Sequence, residues 1–203
     1  YNILIAMLQP QHKWGTICFI LNNIKVLKFF QERTLIKVIN NETYLLYSAL
    51  CYEEGHCRRT QHILKVYALA KLLGEQEKIS TEDQQILQAA AILHDIAIKY
   101  CKKHYNGDAS QEKQKKEASH LVQEFLQEAN YLPSYIPKIV DLVSKHHDYR
   151  KEKSKLLQIL IEADLIVNCY ENQPDYKKSK FIKDIFQTTG GKKLLELCLE
   201  EGI

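Results

Sequence analysis

Four residues offer imidazole and carboxylate groups at positions where the surrounding pattern calls for apolar side chains: His62, His94, Asp95 and Asp164. Side chains three or four positions apart share one face of a helix. The apolar residues on these faces are Val66, Leu69 and Leu73 for His62, Leu87 and Ala90 for His94, Ala91 for Asp95, and Leu157, Leu160 and Ile161 for Asp164. Each of the four side chains is therefore predicted to point inward.

A carboxylate in a protein core is strongly destabilising unless it is paired or binds a cation. Taken singly, His62 has an ordinary interpretation as a hydrogen-bonded core histidine, and Asp164 as a carboxylate bonded to backbone or to an arginine. Two imidazoles and two carboxylates on the inward faces of three helices instead favour one shared divalent cation. Mixed nitrogen and oxygen ligands suit Mn²⁺, Fe²⁺, Co²⁺, Ni²⁺ or Zn²⁺, and such sites are readily built between facing helices of a bundle.

The composition predicts helices as the elements that position these residues. The 203 residues include 7 Gly and 4 Pro, and 45% are apolar and 26% charged. So few turn residues argue against a many-stranded sandwich or barrel. The sequence thus predicts an all-α fold, a single helical bundle over residues 37–203, preceded by an irregular N-terminal extension over residues 1–36.

Capping residues and periodicity predict where the helices begin and end. Gly74 is expected to end the helix that carries His62, in the left-handed conformation. Ser80 is expected to begin the helix that leads to His94 and Asp95. The first predicted helix starts at residue 40 or 41. The next helices run over 58–73, from 80 through the His-Asp doublet, and over 112–128, 133–147 and 154–170. The last two lie around Phe181 and around Leu194, separated by Gly190-Gly191.

Several function classes are disfavoured by composition. The six cysteines form no CxxC pair, which excludes a zinc ribbon and is typical of a reduced, cytoplasmic protein. The apolar stretch 17–30 is interrupted by Asn22, Asn23, Lys25 and Lys28, so we expect no membrane span. A net charge of +3 without a basic, aromatic stripe argues against a long nucleic acid as partner.

The order His, then His-Asp, then Asp on successive helices resembles the HD superfamily of metal-dependent phosphohydrolases. The matching segments are RTQHILKV around His62, AAILHDIAIK around the doublet, and IEADLIVN around Asp164. The likeness covers roughly residues 37–200, and the sequences around the ligands resemble those of small bacterial HD proteins. The chain carries Ala97 where glycine is common in that family.

This resemblance implies an all-helical bundle that hydrolyses a small phosphoester, often a nucleotide, with His62, His94, Asp95 and Asp164 as metal ligands. Mg²⁺ joins the candidate ions on this basis. Asp95 would also act catalytically by orienting a metal-bound water. Lys99, one turn beyond Asp95, and Arg59, one turn before His62, are predicted to neutralise the substrate phosphate. The alternatives are that Lys99 faces solvent and that Arg59 only supports the fold.

Three further histidines are candidate ligands of a second metal ion, because some HD proteins bind one: His120, His146 and His147. The alternative for the pair at 146–147 is stabilisation at a helix C-terminus, and the neighbours of His120 look solvated. A second ion would favour a different function, a di-iron oxygenase. A non-catalytic nucleotide-sensing module and, less favoured, a nuclease are further alternatives, and a homodimer is a further expectation.

Overall fold

The computed structural model describes residues 41–150, 152–172 and 174–199, and these residues form helices with no strand among them. The helices are α1 (Asn41–Tyr52), α2 (Cys57–Gln76), α3 (Thr81–Leu93), α4 (Ala97–His104), α5 (Gln111–Glu128), α6 (Ile136–Lys145), α7 (Lys155–Glu171), α8 (Tyr176–Ile185) and α9 (Thr189–Leu199). The predicted all-α fold is confirmed. The predicted extension over residues 1–36 lies outside the described residues, and the domain boundary stays a prediction.

Helix α7 lies at the centre of the bundle. Residues 157–167 of this helix are all buried, including the polar Gln158, Glu162 and Asp164. A helix that is buried on every side must be covered by neighbours, and α7 packs against α2, α3, α6 and α9. Helix α2 also packs on α3, and α3 on α6. The central helix α7 is thus enclosed by α2, α3, α6 and α9.

Serine caps begin both of the most buried helices. The Ser80 hydroxyl accepts a hydrogen bond from the backbone N–H of Asp83 at 3.0 Å, and α3 follows. Ser154 accepts in the same way from the backbone N–H of Leu157 at 3.2 Å, and α7 follows. Both contacts satisfy N–H groups that the first helical turn leaves unpaired. The predicted starts of these two helices are confirmed.

Gly74 does not end α2, and that prediction is wrong. The helix continues to Gln76, and the left-handed conformation falls on Lys78, at φ 53°. Gly74 is instead buried against α3, where an added Cβ would lie 2.3 Å from Oε1 of Gln84 and 3.0 Å from a methyl group of Leu87. The glycine permits close packing of α2 on α3, and it does not mark the end of the helix.

The glycine pair 190–191 likewise lies inside a helix, in the first turn of α9, and does not separate the last two helices as predicted. An added Cβ on Gly191 would lie 2.0 Å from Oε2 of Glu162. Close approach of α9 to α7 is again the reason for the glycine.

Helix α6 is also shorter than predicted, because residues 133–135 form a turn and Pro137 occupies the first helical turn. None of the helices described is long and apolar enough to cross a membrane.

Candidate metal centre

Three parts of the bundle supply the four predicted ligands. His62 projects from α2 and Asp164 from the middle of α7, and both are buried. His94 and Asp95 lie in a turn between α3 and α4, although a continuous helix was predicted there. Neighbouring side chains on a helix diverge by about 100° because the helix has 3.6 residues per turn. His94 and Asp95 nevertheless contribute to one site, with Nε2 of His94 3.6 Å from Oδ2 of Asp95.

The polar atoms of the four side chains lie within 4 Å of one another in several pairs. Nε2 of His62 is 3.1 Å from Oδ1 of Asp164 and 3.2 Å from Nε2 of His94. Oδ2 of Asp95 is 3.6 Å from Nε2 of His94 and 3.9 Å from Nε2 of His62. His62, His94 and Asp95 form one group of atoms that could hold a metal ion. The structure therefore brings the four predicted ligands together.

The second ring nitrogen of each buried histidine has a fixed neighbour. Nδ1 of His94 lies 2.8 Å from the carbonyl oxygen of Ala91, and Nδ1 of His146 lies 2.7 Å from that of Val143. Nδ1 of His62 lies 3.4 Å from Oε1 of Glu171. A proton on Nδ1 satisfies each of these oxygens, so that a neutral ring can offer Nε2 to a cation. All three rings thus turn Nε2 towards Asp95 or Asp164.

A second group of possible ligands consists of Asp95, His146 and His147. Nε2 of His146 is 3.6 Å from Oδ1 of Asp95, beyond hydrogen-bond distance, although the His146 side chain is only 4% exposed. Among the described residues, this nitrogen and Nδ1 of His147 have no hydrogen-bond partner. Unpaired buried polar atoms are costly, and coordination of a cation would satisfy both. These two predicted residues therefore fit a second ion.

His120 lies apart from both groups. Its side chain is exposed on α5, with Nδ1 3.6 Å from Oε2 of Glu117. Its ring meets that of Tyr100 edge-on at a centroid distance of 5.4 Å. The structure does not bring His120 together with the other predicted ligands.

Electrostatics keep the two central carboxylates ionised. Burial alone would raise the pKa of Asp95, but its interactions with His94, His146 and His62 outweigh burial and hold that pKa below its usual range. The pKa of Asp164 is also lowered, because its hydrogen bond to His62 outweighs burial. Metal ions bind the ionised carboxylate. Both aspartates are thus in the form that a cation requires.

The direction of the pKa shift differs among the histidines, because their neighbours differ. Burial lowers the pKa of His94, and burial with the adjacent His146 lowers the pKa of His147 to about 4. Burial opposes protonation of His62 and His146 as well, but contacts with the aspartates raise the pKa of both. Neutral imidazole is the metal-binding form. Metal binding would therefore compete with protons chiefly at His62 and His146.

The two predicted phosphate-binding cations lie in different surroundings. Nε of Arg59 forms an ion pair with the buried carboxylate of Glu53, and its buried Nη2 has no hydrogen-bond partner among the described residues. Arg59 lines a cavity of about 160 Å³ together with His62 and Asp95. The ammonium group of Lys99 instead donates to the carbonyl oxygen of Tyr52 at the end of α1. The structure places Arg59 in the same cavity wall as Asp95, whereas the ammonium group of Lys99 lies at the end of α1.

Two carboxylates next to the centre were not predicted from the sequence. Glu171 follows Asp164 by seven residues, which is two helical turns, so their shared face was a signal that could have revealed it. Glu53 contacts Arg59 across the turn between α1 and α2, and no periodicity connects these two residues.

Comparison with known families gives one result. The HD-domain family matches residues 59–169, which are 111 of the 203 residues and contain all four predicted ligands. Comparison with curated proteins and with solved structures gives no match. With its ordered His, His-Asp and Asp residues gathered at the centre of a helical bundle, this chain belongs to the HD-domain family.

Proposed function

We propose that this protein is a metal-dependent phosphohydrolase that cleaves a small phosphoester, a nucleotide in particular. The observation that carries the proposal is the convergence of His62, His94, Asp95 and Asp164 within the core. Membership of the HD-domain family supports it independently. Two buried imidazoles with one buried and one half-buried carboxylate are costly without a cation, which favours a functional centre over a structural one.

His62, His94, Asp95 and Asp164 would hold a divalent ion, for which Mn²⁺, Co²⁺, Fe²⁺, Ni²⁺, Zn²⁺ and Mg²⁺ are the candidates. When bound, such an ion supplies a nucleophilic hydroxide by lowering the pKa of a coordinated water, and it polarises a phosphoryl oxygen. The carboxylate of Asp95 faces both ligand groups, with Oδ2 towards His94 and Oδ1 towards His146. Asp95 is therefore the residue we propose to orient the attacking water.

Arg59 is proposed to bind the phosphoryl group. Glu53 holds its guanidinium group at Nε, while the unpaired Nη2 leaves a donor next to the cavity that His62 and Asp95 also line. A guanidinium group matches phosphate oxygens in geometry and charge. A direct contact between Lys99 and substrate stays a prediction, since its ammonium group is hydrogen-bonded at the end of α1.

Phosphate release from nucleoside monophosphates and simple phosphoesters, measured with each candidate ion or with chelator, tests the proposal. His94→Ala removes a central ligand, and His104→Ala, an exposed histidine on α4 outside both ligand groups, serves as the matched control. We expect metal-dependent release by the wild-type protein and by His104→Ala. Release that is independent of metal, or equal in His94→Ala, would overturn the proposal.

A di-iron oxygenase is the second candidate, favoured by the adjoining group of Asp95, His146 and His147. It predicts two iron ions per chain and oxygen consumption with an organic substrate, without phosphate release. A non-catalytic nucleotide-sensing module predicts nucleotide binding with neither reaction. Metal content and phosphate release, measured on one preparation, separate the three candidates.

A further inference from the structure

The side chain of Lys99 connects α4 to the end of α1. Its ammonium group donates hydrogen bonds to the carbonyl oxygen of Tyr52 and, at 3.4 Å, to that of Glu54. It also lies 5.2 Å from the centre of the Tyr52 ring, within the range of a cation–π contact. Helix α1 ends at Tyr52, so the carbonyl oxygen of this residue has no partner within the helix. Lys99 thus binds the backbone on both sides of Glu53.

Glu53 lies at a position that disfavours a negative charge. It directly follows α1, and the C-terminal end of a helix carries a partial negative charge. Its side chain is nevertheless only 1% exposed. A buried carboxylate is destabilising unless positive groups compensate it. The guanidinium group of Arg59 does so directly, with Nε 2.5 Å from Oε2, and the ammonium group of Lys99 offsets the partial charge of the helix end.

Glu53 in turn holds the guanidinium group of Arg59. Arg59 lies on α2, one turn before the candidate ligand His62, and both residues line the cavity of about 160 Å³ together with Asp95. A free arginine side chain has many rotamers, and ordering it when a ligand binds lowers affinity. A guanidinium group that is already held avoids this loss. The contacts therefore form a continuous path from Lys99 through the end of α1 and Glu53 to Arg59.

We propose that Lys99 is a positioning residue for Arg59, and that it acts through the end of α1 and Glu53 without touching the substrate. The inference rests on the proposed phosphohydrolase function, in which Arg59 binds the phosphoryl group. Lys99 follows Asp95 by four residues. One short segment, residues 94–99, thus supplies two candidate metal ligands and the support of the phosphate-binding group.

Replacement of the ammonium group tests the first part of the path. Lys99→Met removes the charge and keeps a side chain of similar length, and Lys103→Met, an exposed lysine on the same helix, is the matched control. We expect Lys99→Met to lower kcat/KM for phosphate release from a nucleoside monophosphate by at least about tenfold, because a displaced binding group is costly in catalysis. Lys103→Met should leave it unchanged. An unchanged kcat/KM in Lys99→Met would overturn the proposal.

A double-mutant cycle tests whether the effect of Lys99 passes through Arg59. In an Arg59→Gln background, which lacks the guanidinium group, Lys99→Met should change kcat/KM by less than about twofold, because residues that act as one unit are not additive. Glu53→Gln provides a second background with the same expectation, in case Arg59→Gln does not fold. A loss from Lys99→Met as large in these backgrounds as in the wild-type protein would overturn the proposal, since Lys99 would then act independently of Arg59.

Metal affinity separates positioning of Arg59 from general support of the bundle. In a calorimetric titration, the Kd of Lys99→Met for Mn²⁺ should stay within about twofold of the wild-type value, compared with the about 10- to 100-fold loss expected when a ligand loses its support. Lys99→Arg retains a charged donor and should recover most of the lost kcat/KM. Mn²⁺ affinity that falls together with kcat/KM, or no recovery in Lys99→Arg, would overturn the proposal.

Failure of the proposed function is distinguishable from failure of this inference. If the wild-type protein releases no phosphate from any ester, the proposed function fails by itself. The same cycle is then measured as the affinity of Mn²⁺-loaded protein for inorganic phosphate. A loss of affinity in Lys99→Met that disappears in the Arg59→Gln background supports the positioning role. Equal losses in both backgrounds, or no binding of phosphate by the wild-type protein, overturns it.

Discussion

The carboxylate of Glu171 lies against the ring of His62, with Oε1 3.4 Å from Nδ1. The corresponding nitrogens of His94 and His146 lie against backbone carbonyls. His62 is thus a candidate ligand whose orientation depends on another side chain. Lys65, with Nζ 3.1 Å from Oε1 of Glu171, helps to hold that carboxylate in place.

Replacement of Glu171 is therefore expected to weaken metal binding without removing a proposed ligand. Loss of a group that orients a metal-binding histidine typically lowers affinity by about 10- to 100-fold. Glu171→Ala should show this loss in a calorimetric Mn²⁺ titration, while Glu171→Gln, which retains an acceptor, should recover part of it. Glu128→Ala, at the exposed end of α5, is the control. Unchanged affinity in Glu171→Ala would show that His62 needs no such support.

Divalent metal is expected to stabilise the folded protein through Asp164. A ligand that binds only the folded state at 100 times its Kd adds about 2.7 kcal/mol to the free energy of unfolding. Mn²⁺ should raise the Tm of the wild-type protein, and chelator should reverse the shift. Asp164→Ala should lose the shift, whereas Asp141→Ala, an exposed aspartate on α6, should keep it. A shift of the same size in Asp164→Ala would place the bound metal elsewhere.

His147 makes the stability of the metal-free protein depend on pH. Its pKa lies at about 4 in the folded state because burial disfavours the charged ring, compared with 6.5 for an ordinary histidine. Between pH 4 and 6.5, the ring of His147 therefore binds a proton in the unfolded chain but not in the folded one. The free energy of unfolding falls as pH decreases through this interval. In urea unfolding with chelator present, His147→Gln should reduce this loss by on the order of 2 kcal/mol. A wild-type and a variant profile of equal slope over that interval would contradict the prediction.

Glu162 is expected to stabilise the fold and to have no part in metal binding. Its carboxylate is fully buried and accepts hydrogen bonds from the backbone N–H groups of Gln187 at 2.6 Å and Thr188 at 3.0 Å and from Nε2 of Gln158 at 2.6 Å. Glu162→Ala leaves these donors unpaired, so we expect the free energy of unfolding to fall by about 3 kcal/mol. Chemical denaturation measures this cost, and Glu196→Ala on the exposed face of α9 provides the comparison. If the free energy of unfolding falls by less than about 1 kcal/mol, water accepts the hydrogen bonds in place of the carboxylate.

The contrast between Glu162 and Asp164 indicates how far the sequence was informative. Both carboxylates lie on buried positions of α7. A pattern of polar residues in an apolar helix locates such groups but does not distinguish one that backbone N–H groups satisfy from one that faces histidines. Asp164 was recognised because His62, His94 and Asp95 completed an ordered set, and the resemblance to the HD superfamily rested on that set.

The features that sequence analysis missed depend on contacts between helices. Gly74 and Gly191 were interpreted as helix breakers, but both lie within helices at points of close packing. A glycine that ends a helix and a glycine that admits a neighbour are identical in sequence. The turn at His94 and Asp95 was missed for a related reason: the surrounding residues 86–97 are almost uniformly buried, so their periodicity carries no sign of the break.

Removal and restoration of metal, with phosphate release as the signal, tests the central claim most directly. Protein stripped with chelator should release no phosphate from a nucleoside monophosphate, and added Mn²⁺ should restore release in the wild-type protein. In His94→Ala at the same metal concentration, the restored rate should be lower by more than about a hundredfold, because a ligand rather than its support is lost. Full activity of the stripped protein, or equal restoration in His94→Ala, would contradict the assignment of His62, His94, Asp95 and Asp164 as a catalytic metal centre.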